Sequence, residues 1–431
     1  MRLLTLRLCL PGADPHLRDL RADLGWKGCV MKLTSISATC QCLLAFALVL
    51  GLAVVATPGV QAQTLTALYN FTNASDGGTP LAGLTSAGKG AFYGTTSASG
   101  SGYGTIVKLV PSGSSWTLNT LHIFTGNPDG ATPTARVRVR PGGILYGTTS
   151  AGGASGAGTV YRVSSKGEAV IYTFLGGSDG SQPSTGDLAF DRAGNIYGTT
   201  SAGGASGNGT VYELVQGKKG TWKEKLLYSF GQAPDGTVPV GGVTFGTPNT
   251  LYGTTSTGGT YGYGTVYQLK RSGSAWTETT LYNFQDGNDG GTAYAGVIRD
   301  KSGNLYGATI SGGTGSGGTV FELTPANGAW TYTVLYSWPG WAISASFRNL
   351  LMDASGNLYG TTHCDGYGDG TVFELTPSNG TWTNTLLYNF TGGSGGYYLF
   401  SNILLDTQGN LYGTASAGGA NGYGIVFEIT P

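Results

Sequence analysis

From residue 65 onward the chain alternates short apolar segments with clusters of glycine, asparagine, serine and proline. Segments such as TVFEL (371–375) and WTNTLLYNF (382–390) combine period-two alternation with β-branched and aromatic residues, which predicts strands rather than helices. One stretch departs from this pattern. Residues 33–75 hold no charged side chain, and 43–55 (LLAFALVLGLAVV) form a dense apolar core. That core is short of the roughly 20 residues a membrane-spanning helix needs and suits the apolar region of a secretory signal.

The flanks agree with export. Met31-Lys32 supplies a short basic lead, and Val60-Gln61-Ala62 offers small residues where a signal peptidase cuts, which places the mature N-terminus at Gln63. The alternative is an uncleaved N-terminal anchor. Residues 1–30, with Pro11, Pro15 and mixed charge, show no structural periodicity and are expected to be an over-extended start or unstructured. The organisation expected is therefore 1–30, a signal peptide at 31–62 and one domain at 63–431. The location expected is secreted, cell-surface or periplasmic.

The domain is a tandem array. A Tyr-Gly-Thr/Ala-Thr/Ala tetrad starts at Tyr93, Tyr146, Tyr197, Tyr252, Tyr306, Tyr359 and Tyr412, at intervals of 53, 51, 55, 54, 53 and 53 residues. Each copy reads as four strands: an apolar segment such as 401–406, the YGTT strand, a Gly-rich loop leading to TVYEL or TVFEL, and a last strand running from Trp to LYNF. Four-stranded units at this period predict an all-β, seven-bladed β-propeller. The seventh copy ends after GIVFEIT without a fourth strand, whereas Leu65–Phe71 is a spare one that matches it. The expected ring is closed by that N-terminal strand, leaving no open sheet edge between first and last blades.

The repeats at 358–377 and 411–431, of the form LYGTTSxGGxxGxGTVFELTP, resemble the choice-of-anchor tandem-repeat family, also called the GloVer-type repeat. The resemblance implies an exported, surface-associated bacterial protein and implies no particular chemistry. Family members commonly carry an anchoring tail after the repeats; none follows Pro431 here, so attachment stays open.

Composition narrows the partners. Glycine accounts for 77 of 431 residues, and Lys+Arg equals Asp+Glu at 23 each. Loss of 1–62 would leave 17 of the 23 basic and 20 of the 23 acidic side chains, with no basic stripe for nucleic acid. Four of the five cysteines would leave as well, so Cys364 has no disulfide partner and stability must come from the core.

Several motifs could carry chemistry. Asp76, Asp129, Asp179, Asp235 and Asp289 each precede Gly in the loops between blades. They could form a carboxylate ring for cations or sugar hydroxyls, or close Asx-type turns. The Asp-x-x-Gly-Asn segments at 191–195, 300–304, 353–357 and 406–410 lack the further carboxylates of a calcium loop and read as turns on the opposite face. The GxG loops precede no helix, so no phosphate cradle is expected. His122 occupies a slot that six other copies fill with Tyr, and Trp338 replaces a Phe; both are expected to pack as rings.

Ten positions before each tetrad stand Gly83, Arg136, Asp187, Gly242, Gly296, Asn349 and Asn402. They are expected to line the axial channel near the loop-rich face, either as a hydrated ligand mouth or with Arg136 and Asp187 as a weak ion pair. The pattern breaks most clearly in the sixth copy, where Trp341 replaces the Asp-Gly turn and the shortened Gly-rich loop carries His363, Asp365 and Asp369 beside Asn349. That group is either a polar recognition pocket or drift in variable loops.

Tyr103, Tyr261, Tyr263, Tyr367 and Tyr423 on the Gly-rich loops add amphipathic contact surface. The reading that follows is a monomeric, non-enzymatic binding or scaffold propeller for a glycan or cell-surface protein, with no cofactor and no metal. The alternative is a hydrolase, lyase or lactonase-type enzyme working at the channel mouth with a bound cation.

Overall fold

The computed structural model describes residues 63–100, 102–183, 185–340, 348–363 and 369–431. Trp341, Cys364, Asp365, Tyr367 and the whole leader, 1–62, lie outside the described residues. The rest is the expected seven-bladed β-propeller. Blade one runs through Thr85–Gly88, Ala91–Thr96, Thr105–Ser112 and Ser115–Ile123, in that order from the axis outward. The next five blades repeat this arrangement, with YGTT strands at Ile144–Thr149, Ile196–Ala202, Thr250–Thr255, Leu305–Ala308 and Leu358–Thr362. Blade seven takes Leu404–Leu405, Leu411–Ala415 and Ile425–Thr430, and its outer strand is Thr64–Asn70, paired antiparallel from Thr64↔Thr430 to Asn70↔Ile425. Ring closure by the N-terminal strand is therefore observed, on the segment the repeat register selects.

Two sequence features explain the packing between blades. In blades two to seven the tetrad glycine lies opposite an aromatic residue of the third strand, as in Gly198↔Tyr212 and Gly360↔Phe373, whereas in blade one Gly94 lies opposite Val107. A Cβ on Gly198 would stand 2.4 Å from the Tyr212 hydroxyl, so the ring lies flat across the strand only because glycine is there. The aromatic residue at the end of each outer strand is then driven inward. Phe71, Phe124, Phe174, Phe230, Phe284, Trp338 and Phe390 are all buried, and Trp338 fills the phenylalanine slot as expected. Seven apolar clusters result, one at each seam; Tyr197, Phe230, Leu251 and Tyr267, for example, come from blades three and four.

The innermost strands are shorter than the sequence suggests, only two residues long in blades three to seven. Their upstream residues are claimed by neighbours instead. Thr95 donates to the Ala135 carbonyl, Thr199 to Gly241, Thr254 to Ala295 and Thr361 to Ser401, each crossing to the next blade. Backbone bonded across a seam is no longer available to its own sheet.

Candidate functional site

Both candidate regions lie at or near the loop-rich face. There, blade-to-blade loops pair with the second-to-third-strand loop of the blade they enter, as in Gly78↔Ala98, Ala131↔Ala151 and Tyr397↔Ala417. The Asp-Gly aspartates are consumed in this layer. Asp76 accepts from the Thr72 amide at 2.8 Å and from the Tyr69 hydroxyl at 3.1 Å; Asp235 and Asp289 repeat the pattern with Tyr228 and Tyr282. These carboxylates are turn and seam elements, as the Asx reading holds. His122 does more than pack: its Nε2 lies 2.9 Å from Asp129, taking the tyrosine's bonding role. On the opposite face, the Asp-x-x-Gly-Asn turns are closed by their own Asp, as in Asp406 with the Asn410 amide at 2.8 Å and the Tyr412 hydroxyl at 3.1 Å.

The central feature is one the sequence reading passed over. Eleven positions before each tetrad stand Ala82, Ala135, Gly186, Gly241, Ala295, Arg348 and Ser401. Small residues are required here because the blades converge: a Cβ on Gly186 would stand 1.9 Å from the Gly242 amide nitrogen. The sixth copy instead sends the Arg348 side chain into the axis. Its guanidinium donates to the carbonyls of Phe400 (2.8 Å), Thr185 (2.6 Å), Leu81 (3.0 Å) and Thr134 (2.8 Å), which belong to four different blades. Burial pulls Arg348 down to about 10, opposed in part by Asp187, so it is charged at neutral pH. Comparing copies one position further upstream would have exposed this outlier among small residues.

Arg348 divides the channel. On the loop-rich side it floors a cavity of about 250 Å³ walled by Leu81, Thr134, Thr185, Tyr294 and Phe400. On the other side lies a cavity of about 260 Å³ whose lining includes Arg136, Arg138, Asp187, Asn349 and Asn402. Of the ring expected to line the channel, Arg136, Asp187, Gly242, Asn349 and Asn402 line this cavity, one residue along the strand from the Arg348 ring. The Arg136–Asp187 pair forms, with Arg136 Nε donating to Asp187 at 2.9 Å. Both side chains are largely buried. Burial pushes the Asp187 carboxyl up, but the Arg136 charge and hydrogen bonds outweigh it and hold Asp187 below its usual range. Asn349 Oδ1 accepts from the Gly296 amide at 2.8 Å, and Asn402 Nδ2 donates to the Asn349 carbonyl at 3.2 Å, so both amides also hold neighbouring blades.

The blade-six group is split by this layering. His363 packs on Phe400, with ring centroids 4.2 Å apart, and on Tyr398 at 4.9 Å. Burial holds its imidazole below the ordinary range, which leaves it neutral at pH 7. Asp369 is brought alongside, its carbonyl accepting from the Tyr398 amide at 3.1 Å. His363 and Asp369 therefore share the loop-rich side, while Asn349 faces the deeper cavity. Among the described residues no group of three His, Cys, Asp and Glu side chains converges as a metal site would, and no helix is long and apolar enough to cross a membrane.

The loop-rich face carries the six exposed tyrosines found among the described residues. Tyr103, Tyr261, Tyr263 and Tyr423 project from Gly-rich loops, as expected, and Tyr294 and Tyr398 join them from the blade-to-blade segments; all are between 37% and 53% exposed. Comparison with known proteins bears on fold and family. The Gloeobacter/Verrucomicrobia repeat model matches residues 51–255, 143–350 and 246–431, in agreement with the resemblance carried by the YGTT repeats. No curated protein matches the chain.

Among solved structures, the chain is similar to the extracellular domain of a hybrid two-component system from B. thetaiotaomicron, with a TM-score of 0.54 and 10% identity over 85% of this chain and 40% of that one. It is also similar to a PL25 polysaccharide lyase, an ulvan lyase, with a TM-score of 0.52 and 11% identity over 81% and 92%. A 6-phosphogluconolactonase from Bacteroides uniformis gives 0.47 and 16% over 71% and 84%. At these identities the likeness is one of fold.

Proposed function

The chain belongs to the Gloeobacter/Verrucomicrobia repeat family, and from that premise we propose that it is an exported, non-enzymatic binding propeller that holds a glycan on its loop-rich face. The observation that carries this reading is the concentration of the exposed tyrosines among the described residues on that one face, with a channel mouth walled by Tyr294 and Phe400. A tyrosine presents an apolar ring with a polar tip, the combination that stacks on a sugar face and bonds its hydroxyls. The site is concave and small, about 250 Å³ before the surrounding loops are counted, which fits one sugar unit at the mouth with further units across the rim.

The charge of the channel speaks against the cation-assisted enzyme as the alternative. Arg348 floors the mouth and Arg136 and Arg138 lie beneath it, against Asp187, so a divalent cation would meet net repulsion. The loop-face aspartates that could have held one are bonded into turns.

The test is a glycan array read with wild-type protein and with Tyr263→Ala/Tyr294→Ala/Tyr423→Ala. The variant should bind at least tenfold more weakly, at about 0.5–1.5 kcal/mol per lost stack, and melt as the wild type does. Absence of any array ligand for the wild type, or undiminished binding by the variant, refutes the reading.

A further inference from the structure

The deeper cavity is chemically unlike the mouth. Eight positions before the tetrads, its lining carries Arg138 in blade two and, across the ring, Ile298, Leu351 and Leu404 in blades five to seven. The threonines of the same ring are occupied: Thr85 donates to the Val137 carbonyl, and Thr244 to that of Val297. Arg136, one layer above, is neutralised by Asp187. Arg138 makes no hydrogen bond or ion pair among the described residues and is exposed to the channel. Arg348 lies beyond the Asp187, Asn349 and Asn402 layer and does not line this cavity; its donors are spent on carbonyls.

The chamber thus holds more positive than negative charge, in a channel whose walls focus the field. It also has an apolar arc, Ile298, Leu351 and Leu404, and one guanidinium, Arg138, that donates no hydrogen bond, although Asp187 attracts it as well as Arg136. Water would wet that arc at a cost, and an inorganic anion would leave it wet. At about 260 Å³ the space exceeds the needs of a single small ion.

We propose that this chamber is a binding site for a small organic monocarboxylate, its carboxylate on Arg138 and its apolar body against Ile298, Leu351 and Leu404. Arg138 supplies a planar fork that takes a carboxylate in two parallel bonds. The site is separate from the loop-rich face, and Arg348 lies between the two.

Calorimetry and thermal shift on the exported domain, with benzoate, hexanoate, glucuronate and inorganic phosphate as probes, test this. Benzoate or hexanoate should bind saturably and at least tenfold more tightly than phosphate or glucuronate. Arg138→Gln should weaken that binding at least tenfold. Leu351→Thr, which installs the residue this ring already holds at Thr85 and Thr244, should weaken it several-fold. The triple tyrosine variant of the loop face should leave it unchanged. No saturable binding of either apolar acid, phosphate or glucuronate binding as tightly as the apolar acids, full binding by Arg138→Gln or Leu351→Thr, or loss of binding in the triple tyrosine variant would each overturn the assignment.

Discussion

Tyr161, Tyr212 and Tyr267 are buried to the hydroxyl beneath the tetrad glycines, and the same three blades carry Glu168, Glu224 and Glu278 opposite the third-strand residue two positions on. Blades that lack the buried third-strand tyrosine put Leu118, Tyr332, Asn384 or Leu65 at the glutamate position. Burial, then repulsion from Asp129, pushes Glu168 up to about 7; burial and Asp179 do the same to Glu224. Burial and Asp235 raise Glu278 to about 7 against a hydrogen bond from Thr280. A carboxyl raised in the folded state favours folding while protonated. Its contribution is complete below the unfolded value of about 4.3 and is lost as pH rises through about 7. The urea midpoint should therefore fall between pH 5 and pH 8, and Glu224→Gln should flatten the fall. A midpoint that rises over this interval contradicts the sign. Residue-scale pairing of this kind is written in the sequence but is visible only once the strand register is known.

At the scale of the element, the GxG loops show why a pattern can be read correctly and explained incompletely. The sequence excludes a phosphate cradle because no helix follows. What the second glycine does instead is fixed by the next blade. Gly104, Gly158, Gly209 and Gly424 have φ between +93° and +99° and lie against Pro133, Pro183, Pro239 and Pro80. A Cβ on Gly209 would stand 2.5 Å from Pro239 Cδ and 2.5 Å from the Thr200 carbonyl oxygen, whereas one on Gly207, two residues earlier with φ +77°, would meet open space. Gly207→Ala should cost about 1 kcal/mol, the left-handed penalty alone. Gly209→Ala should cost about 3 kcal/mol or more, since overpacking adds to it. Chemical denaturation of the two variants separates local strain from seam packing, and equal losses would refute the seam account.

At the scale of the whole molecule, stability depends on the ring being complete. The closing strand Thr64–Asn70 gives blade seven its outer edge, and Phe71 fills the seam with blade one beside Leu84, Phe92 and Val107. Deletion of 64–71 removes the ladder and the wedge together, leaving Ile425–Thr430 with an unpaired edge. The truncated protein should aggregate on size-exclusion chromatography and lose its cooperative melt; a soluble monomer with the wild-type Tm would show that closure is dispensable.

The sequence by itself determined the blade number, the strand order within each blade, the closing strand and the turn role of the repeated aspartates. Each of these is a local pattern repeated at a fixed period, and a repeat must satisfy the same packing problem in the same way each time. It also placed four of the exposed tyrosines on the loops where they are found. The tertiary structure decided what happens at the axis. Whether Arg136 meets Asp187 in water or in a buried layer, whether His363 joins Asn349 or stacks on Phe400, and where the Arg348 charge resides all depend on which residues of seven separate copies converge on one line. Those contacts join positions up to 267 residues apart, and no local periodicity encodes them. Charge and cavity at the axis arise where the copies differ, while the fold rests on where they agree.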